Sequence, residues 1–149
     1  TDYDAVVISD YNKGFLPPSA CNIICDLFKD KPVFVDTKKT DLSCFSDCII
    51  KINEKEHNNV ARSPHNSEFV VTLGDRGAFY KDKIFETYPI EVFDVCGAGD
   101  VFLATLVYGF LKNQCMHKAI VAANQSARLS VSKMGTYVLL KEDIDELCV

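Results

Sequence analysis

No stretch of this sequence stays apolar for the roughly 18 residues that a membrane-spanning helix requires. The basic, apolar and small-residue succession of a signal peptide is missing too. Positive charge is in the minority, with 16 Lys and Arg against 21 Asp and Glu and a net charge of −5. That balance argues against nucleic acid or a membrane surface as a partner. There is no G-x-x-x-x-G-K-[ST] motif, which excludes a P-loop protein. No internal repeat, low-complexity tract or interdomain linker interrupts the chain, so its 149 residues read as one domain. Its 48% hydrophobic and 25% charged residues match a soluble globular protein. Histidine is scarce, and His57 and His65 read as surface residues with no orienting partner in view.

Cysteine, by contrast, is plentiful: Cys21, Cys25, Cys44, Cys48, Cys96, Cys115 and Cys148. The number is odd and most of these residues lie in apolar stretches, which predicts free, buried thiols in a reducing cytoplasm. The C-x-x-x-C pairs Cys21/Cys25 and Cys44/Cys48 lack the two-residue knuckle spacing of zinc sites, and Cys21 and Cys25 share a helical face with Ile24 and Phe28.

The remaining features centre on Asp94-Val95-Cys96-Gly97-Ala98-Gly99-Asp100-Val101-Phe102. Glycine and polar residues there give way to an apolar run ending near Leu111, which predicts a helix buried on most sides. Glycines at a helix start let backbone N–H groups approach a ligand, and those first N–H groups carry the positive end of the dipole. Such a place holds an anion, most often phosphate. Asp100 adds a carboxylate beside it, suited to taking a proton from an attacking hydroxyl. Equally, the glycines alone make a tight turn and Asp100 alone favours the helix dipole. A dinucleotide fingerprint is excluded, because Phe102 stands where its third glycine belongs and no acidic residue follows about 20 positions on.

This stretch resembles the D-T-x-G-A-G-D-x-F signature of the ribokinase-like (PfkB) carbohydrate kinases. The resemblance implies that Gly97, Ala98 and Gly99 form an anion hole for the transferred phosphoryl group and that Asp100 is the catalytic base for a sugar hydroxyl. Val95-Cys96 departs from the pattern. In some relatives this loop helps to bind a monovalent cation, and that site stays open here.

Along the chain, short β-branched runs alternate with helical stretches. Strands are expected at residues 3–10 (parallel and doubly buried), 32–36, 48–52 and 68–74, followed by shorter ones at 78–80 and 84–88. Helices are expected at 17–29, 101–111, 115–133 (packing through Ala119, Ala122, Ala123, Ala127 and Val131 and ended by Gly135) and 140–147. The class is therefore α/β with a mainly parallel sheet flanked by helices. Ligands bind at the carboxyl ends of such strands. Lys13, Lys38 and Lys39 lie in two loops there, as phosphate ligands or as solvated surface charge.

Several of these segments extend the resemblance. Ser9-Asp10-Tyr11-Asn12-Lys13-Gly14 and Val35-Asp36-Thr37-Lys38 are similar to the S-D-Y-x-K-G and V-D-P-K segments of the heptose-7-phosphate kinase branch, tied to ADP-heptose synthesis; Thr37 replaces the branch's Pro. Asn53-Glu54-Lys55-Glu56 is similar to the family's N-x-x-E motif, which holds Mg²⁺ mainly through water, although N-capping by Asn53 and a solvated Glu56 explain it as well. Val71-Thr72-Leu73-Gly74-Asp75-Arg76-Gly77 resembles the V-T-x-G-x-x-G nucleotide segment, which would set Thr72, Gly74 and Gly77 along the ATP phosphates and ribose. Asn124 falls where the family has an Asn near adenine; the alternative is a solvated polar residue.

The resemblance thus implies a partial ribokinase-like fold without the family's amino-terminal half and lid. A strand at the very start of the chain points the same way. The implied activity is ATP-dependent phosphorylation of a sugar or sugar phosphate, with Mg²⁺. The implied partners are nucleotide, sugar, and a complementing amino-terminal half or a second copy. The other readings are a non-catalytic nucleotide-binding remnant and a structural subunit pairing through an exposed sheet edge.

Overall fold

The computed structural model describes residues 3–147; the expected thiol at Cys148 lies outside them. The strands β1 (Val6–Asp10), β2 (Val33–Thr37), β3 (Ile49–Asn53), β4 (Glu68–Thr72), β5 (Ala78–Tyr80) and β6 (Lys83–Phe85) follow one another in chain order across the sheet. The first four are parallel. Helices α1 (Pro18–Leu27), α2 (Glu54–Asn58), α3 (Ala98–Asn113), α4 (Met116–Val131) and α5 (Lys141–Glu146) complete the α/β architecture. Among the described residues no helix is long and apolar enough to cross a membrane.

The chain divides into two compact units. One takes the described residues up to Leu73 together with Phe79–Lys81; the other takes Gly74–Ala78 and the described residues from Asp82 onward.

The first unit is built on β2, whose five residues are all buried. Val33 and Val35 join Ile8, Ile50 and Ile52 in one apolar cluster with Phe45 and Leu42. Helix α1 starts with Pro18 in its first turn, where the absent N–H costs nothing. It turns Cys21 and Cys25 into that cluster, where they meet Cys44 and Cys48. Cys25 and Cys48 place their sulfurs 3.5 Å apart. The expectation of buried thiols therefore holds at these four positions, but Cys96 is exposed and Cys115 only half-buried. Strand β1 also differs from expectation. It ends the strand order with β2 as its one neighbour, so it buries Ile8 and Asp10 but leaves Val7 50% exposed. The doubly buried strand is β2 instead.

In the second unit α3 packs along α4, and Ala119, Ala122 and Ala123 of α4 are fully buried. Ala127, expected on the same face, is only half-buried. Helix α3 buries Phe102, Leu103, Leu106 and Gly109, but Tyr108 is 44% exposed. Its apolar sequence thus covers one face rather than most of its circumference. Helix α4 ends at Val131, and Gly135, at φ +75°, turns the chain four residues later rather than ending the helix itself.

Glycine is required at Gly77. Its φ is +92°, and a Cβ there would lie 2.0 Å from the Phe85 carbonyl oxygen. Gly14 has a similar φ of +91° with nothing within 4 Å of the same position. Gly77→Ala should therefore cost about 2–4 kcal/mol, strain plus collision. Gly14→Ala should cost only the strain, about 1–2 kcal/mol. Urea unfolding of the two variants beside the parent chain checks the difference.

Candidate functional site

In the first unit the ends of β1, β2 and β3 gather charge. Parallel pairing aligns Ser9 with Asp36, Asp10 with Thr37, and Asp36 with Lys51. Asp10 is 5% exposed, and its carboxylate collects three donors. Oδ2 accepts from the Thr37 hydroxyl at 3.0 Å and the Lys39 ammonium at 2.6 Å, and Oδ1 accepts from the Asn12 amide at 3.0 Å. Burial pushes the Asp10 carboxyl up, but Lys39, Asn12 and Thr37 together bring it below its usual value. The Thr37 hydroxyl also accepts from the Lys39 amide at 3.1 Å. The residue that departs from the resembled segment therefore ties β1 to the loop after β2.

Asp36 and Lys51 form a second pair at 2.6 Å, with side chains 10% and 6% exposed. The Lys38 ammonium lies 3.7 Å from the other Asp36 oxygen and 2.5 Å from Glu56 Oε1. Glu56 is held by a capping box at the start of α2. Its Oε2 accepts from the Asn53 amide at 2.9 Å, while Asn53 Oδ1 accepts from the Glu56 amide at 2.8 Å. The capping alternative for Asn53 is thus realised, but Glu56 is not simply solvated. Burial raises its carboxyl, and Lys38 and the Asn53 amide outweigh that, so it ends below the usual range. Burial likewise depresses the Lys38 ammonium, and Glu56 and Asp36 more than restore it, leaving it raised.

Of the three loop lysines, Lys13 is exposed, Lys38 is half-exposed and paired, and Lys39 is buried against Asp10. Asp10, Asp36 and Lys51 were not among the residues singled out by sequence. The available signal was a Lys within the apolar run Ile49-Ile50-Lys51-Ile52, and Lys is rarely buried without a partner.

The donors around Glu56 suit a hard cation. Glu56 and Asp36 offer carboxylates, Asn53 an amide oxygen, and an ammonium already stands between the carboxylates. Among the described residues no three His, Cys, Asp or Glu side chains are grouped to hold a metal ion. A cation here would keep most of its waters, as Mg²⁺ does.

In the second unit Gly97 is the N-cap of α3 at φ +78°, ψ −4°. A Cβ on it would lie 2.9 Å from Thr136 Cγ2, so both backbone and neighbour demand glycine. The loop is pinned from behind. The Phe93 and Asp94 amides donate to the Val131 carbonyl at 2.8 and 3.3 Å, and Asp94 Oδ1 accepts from the Cys96 amide at 2.9 Å. That bond and further backbone donors, Gly135 among them, hold the Asp94 carboxyl below its usual value. The same carboxylate raises the exposed Cys96 thiol, which makes it a poor nucleophile at neutral pH. The Ala98 amide donates to Val95 at 3.3 Å. Gly99 and Asp100 follow as the second and third residues of α3, where helix geometry leaves amides without a partner. Asp100 is exposed there.

A cavity of about 410 Å³ opens beside Gly97 and Asp100. Val101, Ala104, Val138 and Leu139 make much of its wall apolar, which would leave sugar hydroxyls without partners. It is therefore not assigned to a sugar. Gly74, at φ +66°, opens a single 3₁₀ turn to Arg76, and Thr72 closes β4, its hydroxyl donating to the Ile52 carbonyl at 3.5 Å. Asn124 is 7% exposed, and its Nδ2 donates to the Phe85 carbonyl at 2.7 Å. It is a buried residue holding β6, not a solvated one.

The Asp10–Lys39 pair generates a pH prediction. Asp10 titrates lower in the folded chain than its ordinary 3.8. Its stabilisation is complete above that value and is lost as pH falls through the folded one. Asp10→Asn should lower stability at pH 7 by about 3 kcal/mol, because a buried ammonium loses its counter-charge. The gap between variant and parent should narrow below about pH 4, the unfolded carboxyl's range. Urea midpoints at pH 7 and pH 3 measure both effects.

The chain is similar to the bifunctional protein HldE of Wolinella succinogenes, 31% identical over 96% of the chain and 35% of the relative. It is 33% identical to the HldE of Campylobacter concisus, over 95% of the chain and 35% of the relative. The chain thus spans about a third of the length of these relatives. Its fold is that of phosphofructokinase-2 from Escherichia coli, at a TM-score of 0.76 and 16% identity over 97% of this chain and 56% of that one. Arabidopsis thaliana ribokinase, solved with ribose and ATP, superposes at 0.69 and 20% identity over 89% of this chain and 51% of that one. A profile described as pfkB family carbohydrate kinase matches residues 29–143, and the chain, with its glycine-capped loop ahead of α3, belongs to that family.

Proposed function

We propose that this chain is the nucleotide- and phosphoryl-handling portion of an ATP-dependent sugar or sugar-phosphate kinase. The observation that carries the reading is the start of α3. Gly97 is held left-handed against Thr136, two amides of the first turn lack helical partners, and Asp100 stands exposed beside them. An anion-binding loop with a carboxylate at its edge is the arrangement that phosphoryl transfer to an alcohol requires. The fold of ATP-bound relatives and the pfkB match support it.

The roles divide as follows. The backbone of Gly97, Ala98 and Gly99 stabilises charge on the transferring phosphoryl group. Asp100 accepts the proton of the acceptor hydroxyl. Glu56 and Asn53 hold Mg²⁺ through water, and the ion supplies neutralisation of phosphate charge. Lys38 and Lys13 bind phosphate oxygens. Thr72, Gly74 and Gly77 lie along the nucleotide, and Asn124 supports the adenine side by fixing Phe85. The Ser9–Gly14 and Val35–Lys38 segments, with the HldE relatives, favour a heptose phosphate as acceptor.

Thermal unfolding of the 149-residue chain with and without Mg²⁺·ATP tests the nucleotide reading. Ligand at 100 times its dissociation constant should add about 2.7 kcal/mol of stability, and an unshifted transition from a cooperatively folding chain rejects the reading. Asp100→Asn should keep that shift and lower phosphoryl transfer by about 10²–10⁴-fold. Undiminished transfer in the variant would remove Asp100 from the mechanism.

A further inference from the structure

We propose that Lys38 is a counter-ion gate on Glu56. It holds the cation's place when no nucleotide is bound, and it yields only to a divalent ion that arrives with its own phosphate. The proposal rests on the kinase reading of Glu56 as a Mg²⁺ residue.

The two carboxylates beside Lys38 are neutralised differently. Asp36 has Lys51 at 2.6 Å, and that lysine side chain is 6% exposed, locked between strands. Glu56 has Lys38 at 2.5 Å, and that lysine side chain is 41% exposed. One ammonium is enclosed and the other borders solvent. Its backbone stays behind, because the Lys38 amide donates to the Asp10 carbonyl at 2.9 Å. Glu56 also stays behind. Its Oε2 is held by the Asn53 amide at 2.9 Å, so departure of Lys38 leaves Oε1 in place with only the charge of Lys51 to offset it. Among the described residues Glu56 is thus a preset carboxylate whose ion pair is with a partly exposed ammonium.

Charge balance decides what can remove it. Asp10, Asp36 and Glu56 face Lys39, Lys51 and Lys38, so the cluster is neutral with Lys38 in place. A bare divalent ion at Glu56 would enter beside an ammonium and leave the cluster over-charged. A divalent ion carried by a polyphosphate brings the anion that takes Lys38 in exchange. The gate therefore rejects the free ion and admits the metal–nucleotide complex. Without the ammonium, the same carboxylates should accept a metal alone.

The test uses Mn²⁺ alone as the probe, with bound and free ion separated by electron paramagnetic resonance, on the nucleotide-free 149-residue chain. Lys38→Gln and Lys38→Met should each bind Mn²⁺ at least about tenfold more tightly than the parent chain, since removing a unit charge within a few ångströms of a half-buried carboxylate is worth that much. Lys38→Arg, which keeps the charge, should bind like the parent. The gain should vanish in the Lys38→Gln/Glu56→Gln double variant. Equal Mn²⁺ affinity in Lys38→Gln and the parent, or a gain that survives loss of Glu56, overturns the gate. No nucleotide or acceptor enters the measurement. A chain that shows the gain but no thermal shift with Mg²⁺·ATP therefore keeps Lys38 as the group that excludes the free ion and loses the kinase reading, and the reverse pattern loses the gate alone.

Discussion

Asp36 can be buried at the end of β2 only because Lys51 stands at the matching position of β3. An isolated carboxylate there would have to leave or take up a proton. Paired at 2.6 Å, with both side chains no more than 10% exposed, it becomes a fixed point around which the neighbouring charges arrange themselves. Lys38 reaches across one Asp36 oxygen to Glu56, and the Asn53–Glu56 capping box sets where Glu56 waits. Parallel register is what makes this work. It puts the carboxyl ends of β1, β2 and β3 side by side, so residues far apart in sequence meet in one polar patch.

The second unit meets a different constraint. Its loop ahead of α3 presents backbone amides, which have no sequence identity of their own and are displayed only where the chain is forced to display them. Gly97 must take a left-handed conformation and must tolerate Thr136 where a side chain would otherwise sit. Asp94 and the Val131 carbonyl anchor the loop from behind, ahead of the first turn of α3. A fixed loop is what positioning-dominated chemistry such as phosphoryl transfer needs.

Buried thiols fill the first unit's core without taking part in this chemistry. Burial raises Cys44 to about 12, with Cys21 adding to the shift, so it stays a neutral thiol. Four cysteines from α1 and the segment before β3 pack as small apolar groups among Phe45, Leu42 and the β-strand valines.

Local pattern carried the α/β class, the order of elements, and the glycine and Asp100 loop, because hydrophobic period and glycine placement are properties of neighbouring residues. It also offered N-capping by Asn53, a feature of four neighbouring residues, but not the return bond of Glu56 to the Asn53 amide. It could not show which lysine is buried. Lys38 and Lys39 are adjacent in sequence, yet one is 41% exposed on Glu56 and the other 8% exposed on Asp10. That difference depends on a strand 29 residues upstream of Lys39 and a helix 18 residues downstream of Lys38. The exposure of β1, the one-sided burial of α3, and the commitment of Asn124 to Phe85 were likewise decided by what packs against each element. Sequence alone determined that a glycine loop opens a helix there with a carboxylate in its first turn. Only the tertiary structure decided which charges are locked and which can move, because burial and pairing arise from contacts between segments that no local spacing records.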